Sequence, residues 1–139
     1  SELCYNTSEL YSENITITEQ IGKGLVELIE SGRIESDAMT KLLREYLKPM
    51  LANNIDYLVL GCTHYPFLIN QIKKILPDNI RIIDSGKAVA SQLKTVLNAN
   101  NLTNHTQALE KNHEFYSNVE TSVLTTFIER NYSVSKLEF

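Results

Sequence analysis

A thiol, a hydroxyl and an imidazole occur on consecutive residues of this chain, at Cys62, Thr63 and His64. They follow a short apolar run, residues 55–60, whose composition predicts a β-strand buried on both faces. Pro66 comes next and suits the first turn of a helix, where its missing N–H costs no hydrogen bond. The three side chains are therefore expected at a turn from strand to helix, where ligands commonly bind in parallel α/β sheets.

Proton transfer suits this combination of groups. A thiol has a pKa of about 8.5, so it can act as a base when ionised and as an acid when protonated. A neighbouring imidazole can stabilise the thiolate or deliver a proton. Many free cysteines are only small buried apolar residues, but a packing residue needs neither Thr63 nor His64 beside it. His105 and His113 are interpreted as ordinary surface or core histidines.

Apolar strands and amphipathic helices alternate along the chain, which predicts βαβ units around a parallel sheet, an α/β fold. The predicted strands cover residues 14–19, 55–60, 80–83, 113–117 and 133–139. The predicted helices cover about 22–30, 36–49, 66–75, 88–97 and 119–130. Gly32 is expected to close the first helix, Ser36 to cap the second and Pro49 to kink or end it.

Composition excludes several classes of function. The 139 residues are 42% hydrophobic, enough for one small core, and carry a net charge of −4 with no basic run, which argues against nucleic-acid and anionic-membrane partners. No apolar stretch is long enough to span a membrane and the polar start is no signal peptide, so a cytoplasmic protein is expected. The chain has two cysteines and three histidines, and only Cys62 and His64 are close together in the sequence. This spacing predicts free thiols and no metal site.

The segment Gly61-Cys62-Thr63-His64-Tyr65-Pro66, with the strand before it and Phe67-Leu68 after it, resembles the second cysteine motif of the glutamate racemases. In the related aspartate and hydantoin racemases an acidic residue tends to follow the threonine, so His64 favours glutamate. The resemblance implies that Cys62 is one of two acid/base residues, the one that takes the proton from L-glutamate. It also implies that Thr63 holds the substrate, that His64 assists Cys62, and that no cofactor is required.

The resemblance extends from about Thr16 to Phe139 at lower specificity. Residues 25–32 are similar to a family helix that ends in an acidic residue and a glycine, so Glu30 takes the place of an active-site carboxylate and is expected to orient His64. The family's enzymes are longer and carry a first cysteine. Cys4 is too close to Cys62 to match it and has no strand before it.

The implied fold is the three-layer parallel α/β domain of the aspartate/glutamate racemases, incomplete because its N-terminal half is absent. By this resemblance, residues 1–84 are most of the inserted second domain, and residues 85–139 belong to the first domain. Such a piece would leave sheet edges and apolar helix faces uncovered, which predicts a homo-oligomer or association through those edges.

Three functions remain open at this point. The first is a glutamate racemase chain that inverts L-glutamate to D-glutamate for peptidoglycan synthesis with two thiols, truncated here and of undetermined activity alone. The second is an aspartate or hydantoin racemase of the same superfamily. The third is a non-catalytic fragment or binding module that keeps half of a cleft.

Overall fold

The computed structural model describes residues 2–11, 15–103, 113–128 and 132–138. Within them, the helices are α1 (Glu2–Tyr11), α2 (Leu25–Glu30), α3 (Asp37–Ala52), α4 (Ile69–Lys73), α5 (Gly86–Ala99) and α6 (Thr121–Phe127), with a 3₁₀ turn at Tyr65–Leu68 directly before α4. The strands are β1 (Tyr57–Leu60), β2 (Arg81–Asp84), β3 (Glu114–Ser117) and β4 (Ser133–Lys136).

The strands form two parallel pairs. β1 pairs with β2 in a register that sets Tyr57 opposite Arg81 and Leu60 opposite Asp84. β3 pairs with β4 in the same sense. Helical segments connect the two strands of each pair, as parallel strands require. The predicted α/β class with parallel strands and alternating helices is confirmed.

The core lies on one face of the β1–β2 pair, under α2, α3 and α4. Its buried residues are Leu25, Ile29, Met39, Leu43, Leu47, Leu58, Leu60, Leu68, Ile72 and Leu76. Met39, Leu43 and Leu47 form the buried stripe of α3, and the predicted cap is confirmed, since Ser36 accepts a hydrogen bond from the Met39 N–H at 3.2 Å. Gly32 follows α2 with a φ of 70°, the left-handed conformation that ends helices.

The prediction that the strand at residues 55–60, which is β1 of the structure, is buried on both faces is wrong for this chain. Leu58 and Leu60 are buried, but the alternate residues Tyr57 and Val59 are 48% and 62% exposed. The apolar run is typical of a strand covered on both sides, yet the described residues supply a covering layer on one side only.

Three other element predictions need correction. The strand predicted at residues 14–19 does not form at 15–19, where Ile15 and Ile17 are exposed and no strand of the described residues pairs with them; Asn14 lies outside the described residues. Of the two effects predicted for Pro49, a kink or an end of the helix, the second is wrong, because α3 runs on to Ala52. The last helix is shorter than predicted, since α6 ends at Phe127; residues 129 and 130 of the predicted helix lie outside the described part of the chain.

The second half of the chain is less well packed than the first. α5 has no buried residue, and its apolar side chains Val89, Leu93 and Val96 are 63%, 57% and 45% exposed along one helix face. α6 contacts the first half through Phe127, whose ring centroid lies 4.2 Å from that of Phe67. In the described part of the chain, no helix has the length and hydrophobicity needed to cross a membrane.

Candidate active site

Cys62 lies just past the carboxyl end of β1, separated from Leu60 only by Gly61. The backbone turns there, since the Tyr65 N–H donates to the Cys62 carbonyl at 3.1 Å. β2 ends at the same edge of the sheet with Asp84, whose carboxylate accepts the Gly86 N–H at 2.9 Å and so closes the next turn. The thiol is therefore at the edge where parallel sheets bind ligands, as the sequence predicts.

The side chains predicted to act together lie in one chain of contacts. Cys62 Sγ is 3.9 Å from His64 Nδ1, and Thr63 Oγ1 is 3.5 Å from the same nitrogen. On the other side of the ring, His64 Nε2 is 3.0 Å from Glu30 Oε1. Glu30 comes from the end of α2, 34 positions earlier in the chain. The fold thus brings together all four residues of the predicted site.

The contact with Glu30 fixes which nitrogen of His64 carries the proton. An ionised carboxylate only accepts hydrogen bonds, so Nε2 donates to Glu30. In the neutral ring this leaves Nδ1 as the acceptor, facing the Cys62 thiol and the Thr63 hydroxyl. Through Nδ1, His64 can therefore accept a proton from the Cys62 thiol and return it.

The contact between Glu30 and His64 is exposed enough to be weak on its own. The two side chains are 50% and 33% exposed, and ion pairs in such surroundings stabilise by at most about 1 kcal/mol. Other contacts must therefore place α2. Leu25 and Ile29 anchor this helix in the core, at 5% and 0% exposure.

A further contact of the site, which the sequence reasoning missed, involves Tyr65. Its hydroxyl donates to the Gly22 carbonyl at 3.3 Å, in the turn before α2. Burial raises the pKa of Tyr65, and the nearby charge of Cys62 raises it further, so the phenol remains a donor at neutral pH. Tyr46 of α3 donates to the next carbonyl, that of Lys23, at 2.7 Å. In the sequence, the one sign of the Tyr65 contact is that this tyrosine directly follows His64.

The turn at residues 22–24 has a structural role. The carbonyls of Gly22 and Lys23 accept hydrogen bonds from the hydroxyls of Tyr65 and Tyr46. A glycine-rich loop that binds phosphate presents N–H groups to its ligand instead, so this turn does not resemble one. Gly24 has a φ of 83° immediately before α2, a conformation that favours glycine. At Gly22 the constraint is space, since an added Cβ would lie 2.5 Å from Tyr65 Oη and 2.6 Å from Leu25 Cδ1.

We expect Gly22→Ala to lower the free energy of unfolding by about 1–3 kcal/mol, because the methyl group forces Tyr65 or Leu25 out of place. Urea denaturation of the two proteins measures the difference. Gly61→Ala is the matched control, since a Cβ at Gly61 meets no atom within 4 Å. Equal stability of Gly22→Ala and the unmodified chain would contradict the tight contact.

A cavity of about 600 Å³ lies where β2 begins, lined by residues that include Lys73, Pro77 and Arg81, at the opposite end of the strand from Cys62. Among the described residues, no three acidic, histidine or cysteine side chains are grouped as metal ligands would be. The Cys4 backbone is part of α1.

Comparison with known proteins gives matches in sequence and in fold. A glutamate racemase of Pseudomonas putida is 47% identical over 92 residues, which are 66% of this chain and 35% of the relative. One from Ralstonia pickettii is 50% identical over 97 residues, 70% of this chain and 34% of the relative. No family model matches.

Solved structures agree with the sequence matches. A glutamate racemase of Bacillus anthracis superposes with a TM-score of 0.76 at 27% identity, covering 99% of this chain and 52% of that one. The chain is homologous to part of a glutamate racemase. A second racemase structure, from Francisella tularensis with bound D-glutamate, gives a TM-score of 0.77 at 27% identity over 96% of this chain and 51% of that one. The expected racemase-type α/β fold, incomplete relative to the whole enzyme, is confirmed; the chain spans about a third of the curated relatives' length.

Proposed function

We propose that this chain supplies one of the two acid/base residues of a glutamate racemase, and that this residue is Cys62. The observation that carries the proposal is the contact series from Glu30 through His64 to Cys62, at 3.0 and 3.9 Å. A packing cysteine has no need of an imidazole whose far nitrogen is held by a carboxylate. The substrate is inferred from the racemase matches.

Inversion at the glutamate Cα requires a base on one face and an acid on the other. The Cys62 thiolate removes the Cα proton of L-glutamate and becomes a thiol. In the reverse direction the thiol returns that proton, and His64 Nδ1 exchanges protons with Sγ between turnovers. Glu30 keeps the ring in the required tautomer, and the exposed Thr63 hydroxyl binds the substrate.

The second acid/base comes from polypeptide beyond the racemase part represented here. The chain covers 51–52% of the two racemase structures, so about half of each of those structures has no counterpart in it. On this proposal residues 1–84 form most of the domain that carries Cys62, and residues 85–139 belong to the other domain. The complete enzyme would need no cofactor, because a thiol pair performs both proton transfers.

The proposed product, D-glutamate, is a building block of the bacterial peptidoglycan cell wall and so contributes to cell shape. The chemistry requires a reduced thiol, which favours the cytoplasm, where thiols are kept reduced. A small amino acid as substrate also agrees with the related structures, which hold D-glutamate in the Francisella tularensis enzyme and β-chloro-D-alanine in that of Thermus thermophilus.

The test is proton NMR of L-glutamate and of D-glutamate in heavy water, followed by chiral analysis. The chain is assayed alone and with a companion polypeptide, the part of the Pseudomonas putida racemase that lies outside its matched segment. Loss of the Cα proton with inversion in the presence of the companion supports the proposal. L-aspartate and a hydantoin serve as competing substrates. No exchange with any substrate, in a complex that demonstrably forms, favours a non-catalytic module.

We also propose that the uncovered apolar faces associate with other polypeptide, a second copy when the chain is alone. Val59 and Ile83 are opposite each other in the sheet register and are 62% and 45% exposed. A parallel sheet is normally covered on both faces. A lysine at position 59 would have to bury its charge in the interface or prevent the two copies from making contact.

Val59→Lys should therefore weaken self-association by about tenfold or more, the effect of losing one buried valine from an interface. Sedimentation equilibrium over a concentration series measures it. Val119→Lys, at a position 64% exposed in the loop before α6, is the matched control and should change little. A chain that stays monomeric at every concentration would count against the proposal.

A further inference from the structure

We propose that Tyr65 is a positioning residue for the active site, because it holds helix α2 where Glu30 can reach His64. The inference rests on the proposed function of Cys62 and His64, and adds a residue that acts on them indirectly. The observation behind it is that His64 and Tyr65, which are consecutive in the chain, contact opposite ends of α2.

The two consecutive residues hold the two ends of α2. His64 Nε2 contacts the carboxylate of Glu30, the last residue of the helix, at 3.0 Å. The Tyr65 hydroxyl donates to the Gly22 carbonyl, which also accepts the N–H of Leu25, the first residue of the helix, at 3.3 Å in each case. A six-residue helix is about 9 Å long, so side chains extending in opposite directions from neighbouring residues can span it.

Helix α2 needs such support. Six residues are too few to form a stable helix in isolation. The residue before it, Gly24, provides no side-chain cap, and the exposed contact between Glu30 and His64 is too weak to place a helix. Burial of Leu25 and Ile29 fixes the depth of α2 in the core, but apolar packing is non-directional and constrains sliding along the helix axis less well.

The Tyr65 contact is directional and closely fitted. A Cβ at Gly22 would meet Tyr65 Oη at 2.5 Å, so any other residue there would displace the hydroxyl. Because the phenol stays protonated at neutral pH, it is a donor under the conditions in which the thiol works. The turn closed by the Tyr65 N–H and the Cys62 carbonyl, at 3.1 Å, joins the same residue to the proposed acid/base residue.

The test compares Tyr65→Phe with Tyr46→Phe, both in a Cys4→Ser background that leaves Cys62 as the single thiol. Each variant removes one hydroxyl that bonds to a carbonyl of the same turn and keeps the aromatic ring. Tyr46 is in α3, away from the segment that contains His64, so it controls for simple loosening of the turn. Circular dichroism and urea denaturation verify that both variants fold.

Two readouts follow the site without any substrate. Nitrogen-15 NMR of labelled histidine, with His64 assigned from a His64→Gln spectrum, reports the tautomer of its ring. The rate of Cys62 alkylation by iodoacetamide at constant pH reports how well the imidazole assists the thiol. In Tyr65→Phe we expect the His64 ring to shift from a single Nε2–H tautomer toward the mixture of an unrestrained imidazole, and alkylation to slow by about fivefold, the equivalent of one typical hydrogen bond. Glu30→Ala, which removes the acceptor altogether, should give the same two changes.

Tyr46→Phe should leave both readouts as in the parent. The proposal is overturned if Tyr65→Phe keeps the parent's tautomer and alkylation rate, or if Tyr46→Phe changes them as strongly. Should Tyr65→Phe fail to fold, Gly22→Ala tests the same contact by displacing the hydroxyl, with the same expected changes. Because neither readout involves glutamate, a tautomer change in a protein that never exchanges the Cα proton would retain the role of Tyr65 and count against the racemase function.

Discussion

Cys62→Ser is expected to abolish exchange of the glutamate Cα proton by the chain and its companion polypeptide. A serine hydroxyl is a far weaker acid than a thiol, so no useful fraction is ionised at neutral pH and the base is lost. Removal of a general base costs about 10²- to 10⁴-fold in rate, enough to bring exchange close to the background. Cys62 is only partly buried and serine is slightly smaller, so the fold should be preserved.

The measurement is the heavy-water NMR assay on the variant and the parent, with circular dichroism of both. Cys4→Ser is the matched control, because it replaces the other thiol of the chain, in α1, and should retain the parental rate. An unchanged rate in Cys62→Ser would remove Cys62 from the mechanism. Loss of exchange in Cys4→Ser would instead point to Cys4 as a second acid/base.

The composition of the site could be predicted from sequence because its members are marked by their neighbours. Cys62, Thr63 and His64 are adjacent in a strand-to-helix turn, and resemblance placed Glu30 at the end of a helix. The distance of 3.0 Å between Glu30 and His64 could not be predicted from propensity, since it depends on how α2 packs in the core. The role of Tyr65 was missed for the same reason, because its partner is a backbone carbonyl, which has no sequence signature.

The elements that sequence patterns predicted poorly are those whose structure depends on distant partners. Ile15 and Ile17 alternate as in a strand, but a strand forms only where another strand can pair with it, and the described residues offer none. Conversely, α3 was predicted well because its cap and its apolar stripe are local properties. The uncovered face of β1 follows the same rule, since burial of Val59 requires a layer that the described residues lack.

His64→Asn should slow catalysis by about 10²-fold, the lower end of the contribution of a general acid or base. Asparagine can still form hydrogen bonds toward Glu30 or Cys62, but its amide does not accept or release a proton near neutral pH. The thiol would then have to exchange its proton with solvent unaided. His113→Asn is the matched control, since His113 is exposed and adjoins Tyr132 instead of the site.

The direction of the effect tests the assignment more sharply than its size. The two enantiomers of glutamate have equal free energy, so kcat/KM must stay equal in the two directions whatever the variant. An imidazole that serves only Cys62 should nevertheless lower kcat more from L-glutamate than from D-glutamate, with KM falling in proportion. Steady-state kinetics from each enantiomer measures the split. Equal decreases of kcat would mean that His64 acts on both proton transfers, and would contradict an imidazole that serves only Cys62 through their 3.9 Å contact.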